Sequence, residues 1–512
     1  MEPSQNIIQL FLSAAEAHPD KTAIIEKGRL ITFKELKQDV FQTSSYFRSK
    51  GLSKGDRVLV FVPMSIELYR IVLALFNIGA TAVFLDEWVN RKRMEECCRI
   101  ADCKGFIGTF KARALAIFST ELRKIPVKMG INYKRTATHL QSHTEVVKQN
   151  DTALITFTTG STGTPKAAKR THQFLSAQFK ALTETIHPSP DDIGMPALPI
   201  VLLINLGAGC TSVIPDFKAT KPDKLKPEKV IHQLQINKVT RIEASPYFIK
   251  RIAEYCLDNN IRLLHLKKVF AGGAPVFPSE AESYNKAFSS AEIKIVYGST
   301  EAEPVSSIEV KELLSKQETQ NGLCVGTPYR LADVKIIKLS DQPIYCPNEE
   351  AFKQQLLPPM KIGEIIVSGP HVLTEYFNND ETLKRNKIFV NGTCYHRTGD
   401  SGYLNDDGVL FLTGRENTLI HSEGKIISPF IYENILQQIE GVESGTVICS
   451  EDNIIHLIIE KKSNASEDTI RTKIPSTALQ YQKLSFVKKI PRDLRHNSKI
   501  DYERLRKNLE QG

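Results

Sequence analysis

The chain has 512 residues, 41% of them hydrophobic and 24% charged, and a formal net charge of +9. That length exceeds what a single hydrophobic core serves and predicts two or more domains. The balance of residue types is ordinary for a globular protein and suggests neither disorder nor a fibrous repeat.

The first twelve residues, Met1 to Leu12, lack the basic start and long apolar stretch of a secretory leader, so the protein is expected to be cytoplasmic. Thr32 and Glu35 in Thr-Phe-Lys-Glu predict a capping box that opens a helix running toward Gly51. Gly55-Asp56 then turns into an apolar strand over Val58 to Val62, and a second helix starts near Ser65. Ile71 to Leu85 is the most apolar stretch, but Asn77 and Gly79 interrupt it; a buried helix followed by a strand from Ala82 to Leu85 fits better than a transmembrane span. Nine cysteines, an odd number, predict buried free thiols in a reducing compartment. Cys97, Cys98 and Cys103 lack the second pair of ligands that a zinc site needs.

Short apolar runs return at Ala153–Phe157, Val239–Glu243, Lys267–Ala271 and Lys294–Val296, alternating with helical patterns. This predicts an α/β fold with a parallel or mixed sheet covered on both faces. Several runs end at Gly-rich or polar turns, where open α/β sheets bind ligands. From Val334 to Phe411 helices thin out, predicting a β-rich subdomain. After Gly414-Arg415 the pattern becomes a small α+β unit. The boundary is placed at Asn417, dividing a large N-terminal domain, 1–416, from a small C-terminal domain, 417–512. The run Ile200 to Ile204 reads as an acyl-chain wall or as a plain core strand. In the tail, nine lysines and arginines between Lys483 and Lys507 face three carboxylates. No nucleic-acid reader motif accompanies them, so a small anionic substrate is the more economical partner.

The segment Leu154 to Lys166 carries the clearest chemistry. An apolar strand runs into Thr158, Thr159, Gly160, Ser161, Thr162, Gly163 and Thr164, with Lys166 behind them. Glycines let backbone N–H groups approach an oxyanion, hydroxyls add adjustable donors, and the lysine adds charge: a phosphate-gripping loop. It is not a Walker loop, because its glycines stand three apart and Pro165 keeps the chain from entering a helix. A flexible surface loop is the bland alternative.

Thr159-Gly-Ser-Thr-Gly-Thr-Pro-Lys166 resembles the phosphate loop of the adenylate-forming superfamily of acyl-CoA synthetases, luciferases and peptide-synthetase adenylation domains. Further motifs follow in that family's order, so the resemblance covers nearly the whole chain. In Tyr297-Gly298-Ser299-Thr300-Glu301 it implies a tyrosine stacked on adenine, a threonine on phosphate and a glutamate that helps to hold Mg²⁺, a hard ion suited to carboxylate oxygen. In His396-Arg-Thr-Gly-Asp400 it implies an aspartate on the ribose hydroxyls, joined by Arg415. Gly272, Gly273 and Ala274 resemble the wall of the adenine and acyl pocket. Lys499, in Arg495-His-Asn-Ser-Lys499-Ile, falls where the family carries its adenylation lysine. Lys499, Lys166 and Glu301 are therefore the candidate catalytic residues. Asn417 sits at the family's hinge, and Glu423-Gly424 where an acceptor tunnel is lined in the second half-reaction. The C-terminal domain is thus expected to swing, presenting one face or the other.

The implied activity is ATP-dependent, AMP-forming activation of a carboxylic acid. The second step is less legible. Most acyl-CoA synthetases carry a histidine after the phosphate loop, whereas Ala197 to Gly209 contains none. Ala197-Leu-Pro199, Thr211-Ser-Val-Ile-Pro215, Tyr297 to Val305 and Arg495 to Ile500 resemble the β-lactone synthetases of olefin biosynthesis, in which a β-hydroxyl displaces AMP. A fatty-acid ligase using coenzyme A or a carrier protein is the alternative, with transfer to an amine behind it. An NTPase or a non-catalytic nucleotide-binding protein is the rival of another class, although the latter would be expected to lack Lys499, Asp400 or Glu301.

Overall fold

The computed structural model describes residues 5–85, 91–131, 143–159, 165–218, 221–315, 322–422, 424–450, 452–474, 479–493 and 499–510. The phosphate-loop residues Gly160, Ser161, Thr162, Gly163 and Thr164 lie outside them, as do Glu423 and the stretch 494–498.

Local sequence signals are realised early in the chain. Thr32 caps the helix Phe33–Ser49: its hydroxyl accepts from the Glu35 N–H, and the Glu35 carboxylate accepts from the Thr32 N–H. Such a cap contributes about 1 kcal/mol. The Ser65 hydroxyl caps Ile66–Asn77 by accepting from the Leu68 N–H, without a reciprocal carboxylate, and Thr81–Phe84 follows as a largely buried strand. No helix among the described residues is long and apolar enough to cross a membrane.

Two sheets dominate. The smaller runs Val127–Met129, Gly105–Gly108, Arg57–Phe61, Thr81–Phe84 and Thr152–Thr159, all parallel, and is closed by the antiparallel strand Pro165–Thr171. Val58, Leu59 and Val60 are all buried, as expected for a strand covered on both faces. The larger sheet has a parallel centre formed by Thr211–Val213, Ile193–Pro196, Arg241–Ala244, Lys268–Gly272 and Glu292–Ser299. Beyond Ala302–Glu309 it turns antiparallel through Leu323–Pro328, Leu410–Arg415, Thr393–Leu404, Gly363–Ser368 and Asp333–Ile337. The β-rich segment read from sequence is thus an extension of the main sheet, hydrogen-bonded to it strand by strand.

The run Ile200 to Ile204 is not a strand. It lies in the helix Pro199–Gly207, with proline at its first turn, where a missing N–H costs nothing. A helix apolar all round is one buried on several sides. Leu202 and Leu206 enter one hydrophobic core, Val201 and Ile204 pack into a second cluster, and Ile200 and Leu203 face a cleft. A buried ion network anchors it. Arg241 Nη2 donates to Asn205 Oδ1 on this helix at 2.5 Å, Nη1 donates to Asp192 at 2.6 Å, and Nε donates to Glu243. Gly194 is required beneath it, since a Cβ there would stand 2.8 Å from the Asn205 amide nitrogen.

All nine cysteines are free thiols and eight are buried, as the composition implied. Residues after Asn417 carry cores of their own, one centred on Leu436, Val447, Leu457 and Ile470, another on Ile448, Ile458, Ile490 and Leu505. They rest on the rest of the chain through the helix Pro429–Gln437. Phe430 meets Phe277 edge-on at 5.7 Å, Ser428 donates to the Thr413 carbonyl at 2.6 Å, and Lys250 pairs with Glu443 at 3.1 Å.

Glu433 on that helix is buried. Its Oε1 accepts from Thr446 at 3.0 Å and from the Tyr502 hydroxyl, which ties in the last helix, Tyr502–Glu510. Burial pushes its carboxyl up to about 7. The folded chain therefore keeps a proton that the unfolded chain has already released, so this group's stabilising contribution is lost as pH rises from the ordinary glutamate value through 7. Glu433→Gln retains the accepting oxygen and removes the titration. In denaturant titrations its stability relative to wild type should rise progressively between about pH 5 and about pH 8; parallel curves would contradict this account.

Candidate active site

One cleft of about 2530 Å³ collects residues from distant parts of the chain, among them Lys166, Gly273, Ala274, Tyr297, Gly298, Ser299, Thr300, Glu301, Asp400, Arg415 and Lys499. Backbone topology explains the meeting. The parallel strand Lys268–Gly272 ends where Gly273 and Ala274 turn, and its neighbour Glu292–Ser299 ends at Tyr297 to Ser299. Gly273 sits at φ +94°, open to glycine and strained for other residues, and a Cβ on Gly298 would stand 2.8 Å from the Ala302 carbonyl oxygen. Gly272 is the last residue of its strand, one step behind the cleft wall.

The strands on either side of the predicted phosphate loop, Thr152–Thr159 and Pro165–Thr171, pair antiparallel. Thr158 is opposite Lys166 and Thr159 is opposite Pro165. Pro165 starting a strand agrees with the exclusion of a Walker-type loop-to-helix passage.

Asp400 and Arg415 face each other across the antiparallel pair Thr393–Leu404 and Leu410–Arg415. Arg415 Nε lies 3.1 Å from Asp400 Oδ1, and the Tyr297 hydroxyl donates to Asp400 Oδ2 at 2.8 Å. The Asp400 carboxylate raises the Arg415 guanidinium above its ordinary value, and burial, with Asp400 beside it, raises the Tyr297 phenol well above its own. Arg415 also donates to the Thr398 carbonyl at 3.1 Å, yet its side chain stays 46% exposed and can meet a ligand in the cleft.

Glu301 is buried at the cleft wall, where Oε1 accepts from the Tyr376 hydroxyl at 3.2 Å. Behind it, Lys387 stacks over the Tyr376 ring at 5.4 Å and donates to the Leu373 carbonyl. Burial lowers the Lys387 ammonium to about 8. Lys166 donates to Asn386 Oδ1 at 2.7 Å; burial lowers its ammonium too, opposed by Glu301 and assisted by Arg385 and Arg415. Arg170 donates to the Thr300 carbonyl at 3.0 Å and fixes the Ser299–Glu301 turn. The wall thus concentrates positive charge around one hard carboxylate, an arrangement that binds polyphosphate better than a neutral ligand.

Lys499 follows the stretch 494–498 and is held by backbone. Its N–H donates to Asp493 Oδ1 at 2.7 Å, and the Asp493 N–H donates to the Lys499 carbonyl at 2.8 Å. The C-terminal part turns this residue, rather than Gly424, into the cleft. Asn417, in the short turn Glu416–Thr418, lies at the same rim.

Several neighbours escaped the sequence reading. Arg397 was within a recognised motif read for its aspartate alone. It is buried against Glu364, with 2.8 Å from Nε to Oε2, and donates to the Gln342 and Ser340 carbonyls, while Glu364 Oε1 accepts from the Gly399 N–H at 3.3 Å. This pair shapes the turn that delivers Asp400. Tyr376, Asn386 and Lys387 had no sequence signal, since they matter only through a contact made across the fold.

A family model described as AMP-binding enzyme matches residues 11–377. The chain is 25% identical over 545 residues to an olefin beta-lactone synthetase of Stenotrophomonas maltophilia, with 98% of this chain and 97% of that protein covered. It is 30% identical over 389 residues to an olefin beta-lactone synthetase of Xanthomonas campestris, covering 72% and 68%. Among solved structures, ATP-bound MatB from Rhodopseudomonas palustris matches with a TM-score of 0.83 at 19% identity over 99% of both chains, a likeness of fold.

Arg397→Ala should leave Glu364 buried without its cation, at a cost of about 3–5 kcal/mol in unfolding free energy. Chemical denaturation measures this; an unchanged midpoint would mean that the pair does not hold the Asp400 turn.

Proposed function

The chain belongs to the AMP-binding enzyme family and is an ATP-dependent, AMP-forming acid ligase; on that premise we propose that it activates a fatty or β-hydroxy fatty acid and closes the β-hydroxy form to a β-lactone. The observation that carries the reading is the convergence of Lys166, Tyr297, Glu301, Asp400, Arg415 and Lys499 on one cleft. The apolar wall made by Leu198, Ile200, Leu203, Tyr69 and Val72 in the same cleft supports an acyl substrate.

In this reading residues 1–416 form the nucleotide- and acyl-binding domain, and 417–512 the smaller domain that brings Lys499. Asp400 and Arg415 hold the ribose, with the Tyr297 ring beside adenine. The loop Thr158–Thr164 and Lys166 grip the phosphates, and Thr300 contacts them from the facing strand end. Glu301, whose Oε1 alone accepts from Tyr376, would hold a magnesium ion that neutralises phosphate charge. A carboxylate oxygen of the acid attacks the α-phosphorus, the bond to pyrophosphate breaks, and Lys166 and Lys499 stabilise the charge that develops. No side-chain nucleophile is needed.

The second step then needs only the substrate's own β-hydroxyl. Its oxygen attacks the acyl carbon, the bond to AMP breaks, and the hydroxyl proton is released as AMP leaves. The two olefin beta-lactone synthetases among the relatives support this outcome, as does a wall segment, Ala197 to Gly209, without a histidine. Coenzyme A or a carrier protein is the competing acceptor, and product analysis separates them. Mass spectrometry of reactions with ATP and a β-hydroxy acid should find the lactone without coenzyme A; a thioester formed only when coenzyme A is added would assign the alternative.

Lys499→Ala should lower acid-dependent ATP/pyrophosphate exchange by about 100-fold or more, while sparing turnover of preformed acyl-adenylate. Exchange near the wild-type rate would remove Lys499 from the first step. Asp400→Ala should raise the KM for ATP by roughly 10- to 100-fold, the loss of charge-assisted hydrogen bonds to the nucleotide; an unchanged KM would place the ribose elsewhere.

A further inference from the structure

The helix Phe110–Phe118 has its apolar residues on the wrong side for a core. Its small residues Ala112 and Ala116 are buried, whereas Phe110 is 83% exposed, Ile117 64% and Phe118 68%. At about 100° per residue, Phe110, Ala114 and Ile117 form one outward stripe with Phe118 beside it, and Lys111 and Arg113 stand on its two flanks. Isolated exposed apolar residues need no explanation; a contiguous stripe of large ones bordered by cations marks an interaction surface.

The charge around the helix is equally one-sided. Residues 91–130 contain ten lysines and arginines against four acidic residues, most of the chain's net excess. The next helix back, Arg91–Ala101, meets the end of this one, where Arg91 donates to the Phe118 carbonyl at 2.6 Å, and Arg91 and Lys92 are exposed. One flank of the same helix, through Lys111, Ala112 and Leu115, borders the cleft. An outward apolar stripe, a cationic border and a position at the mouth of the cleft occur together.

We propose that the outer face of the Phe110–Phe118 helix docks on an anionic lipid bilayer, setting the mouth of the cleft where apolar acids partition. Phe and Ile side chains enter the acyl boundary, and Lys and Arg side chains reach back to anionic headgroups. An acidic protein would match the cations but leave the large apolar stripe without an apolar partner, which favours lipid. The benefit of such docking rests on the fatty-acid reading of the cleft; the docking itself does not, and it is tested without ATP or acid.

The test is flotation of the full chain with phosphatidylcholine vesicles containing phosphatidylglycerol, against phosphatidylcholine alone. Wild type should float with the anionic vesicles and be released by high salt. The variant F110S/I117S/F118S should bind at least about tenfold more weakly, with unchanged ATP/pyrophosphate exchange on a short soluble acid showing that it is folded. K92E/R113E, which leaves the stripe intact, should lose the preference for anionic vesicles. Wild type that fails to float at low salt, or a triple variant that floats equally well, overturns the proposal. So does a wild-type dimer that dissociates in the triple variant without any vesicle binding, which would assign the face to a second copy of the chain.

Discussion

One carboxylate, that of Asp400, is shared between the Tyr297 hydroxyl and the Arg415 guanidinium, and this contact joins three strands of the large sheet. Tyr297 ends a parallel strand of its centre, while Asp400 and Arg415 face each other in its antiparallel extension. The cleft exists where these two kinds of strand meet. Both partners donate to the same carboxylate, and its position is set by backbone register across the strand pair.

The opposite wall follows a related rule. Glu301, Tyr376, Lys387 and Lys166 lie close together, and burial disfavours the charged forms of both lysines. Glu301 opposes that effect on each. Two desolvated lysines beside a single carboxylate leave this wall with an excess of positive charge, the kind of surface on which an anion is better placed than a neutral group. The Arg397–Glu364 pair behind the Asp400 turn contributes rigidity at the same place.

The cleft also continues into an apolar region walled by the Pro199–Gly207 helix. That helix is fastened from below by Asn205 to the buried Arg241 network, so its outward residues Ile200 and Leu203 are displayed on a fixed support. One cavity thus has a charged, polar end and an apolar end. The exposed apolar helix at its rim fits the same division of surfaces.

Much of this was present in linear order. The capping box at Thr32 and the strand-and-turn punctuation around Leu154–Lys166 and Tyr297–Glu301 are local patterns, and local patterns survive in a one-dimensional reading, whereas Asp400, Arg415 and Lys499 stood out only through the family resemblance. The run Ile200–Ile204 reads as a strand in one dimension because a short apolar run has no period; only the two cores and the cleft around it reveal a helix buried on several sides. The folding decided the rest: which residues back up the site, and which face of the C-terminal part looks inward. Tyr376, Asn386 and Lys387 gain their roles from contacts across the fold with Glu301 and Lys166, and Lys499 from the docking of one core against another. Sequence alone determined the chemistry the chain can offer, because that depends on residue type and order. Tertiary structure decided where each group is desolvated and what it opposes, because those depend on distance.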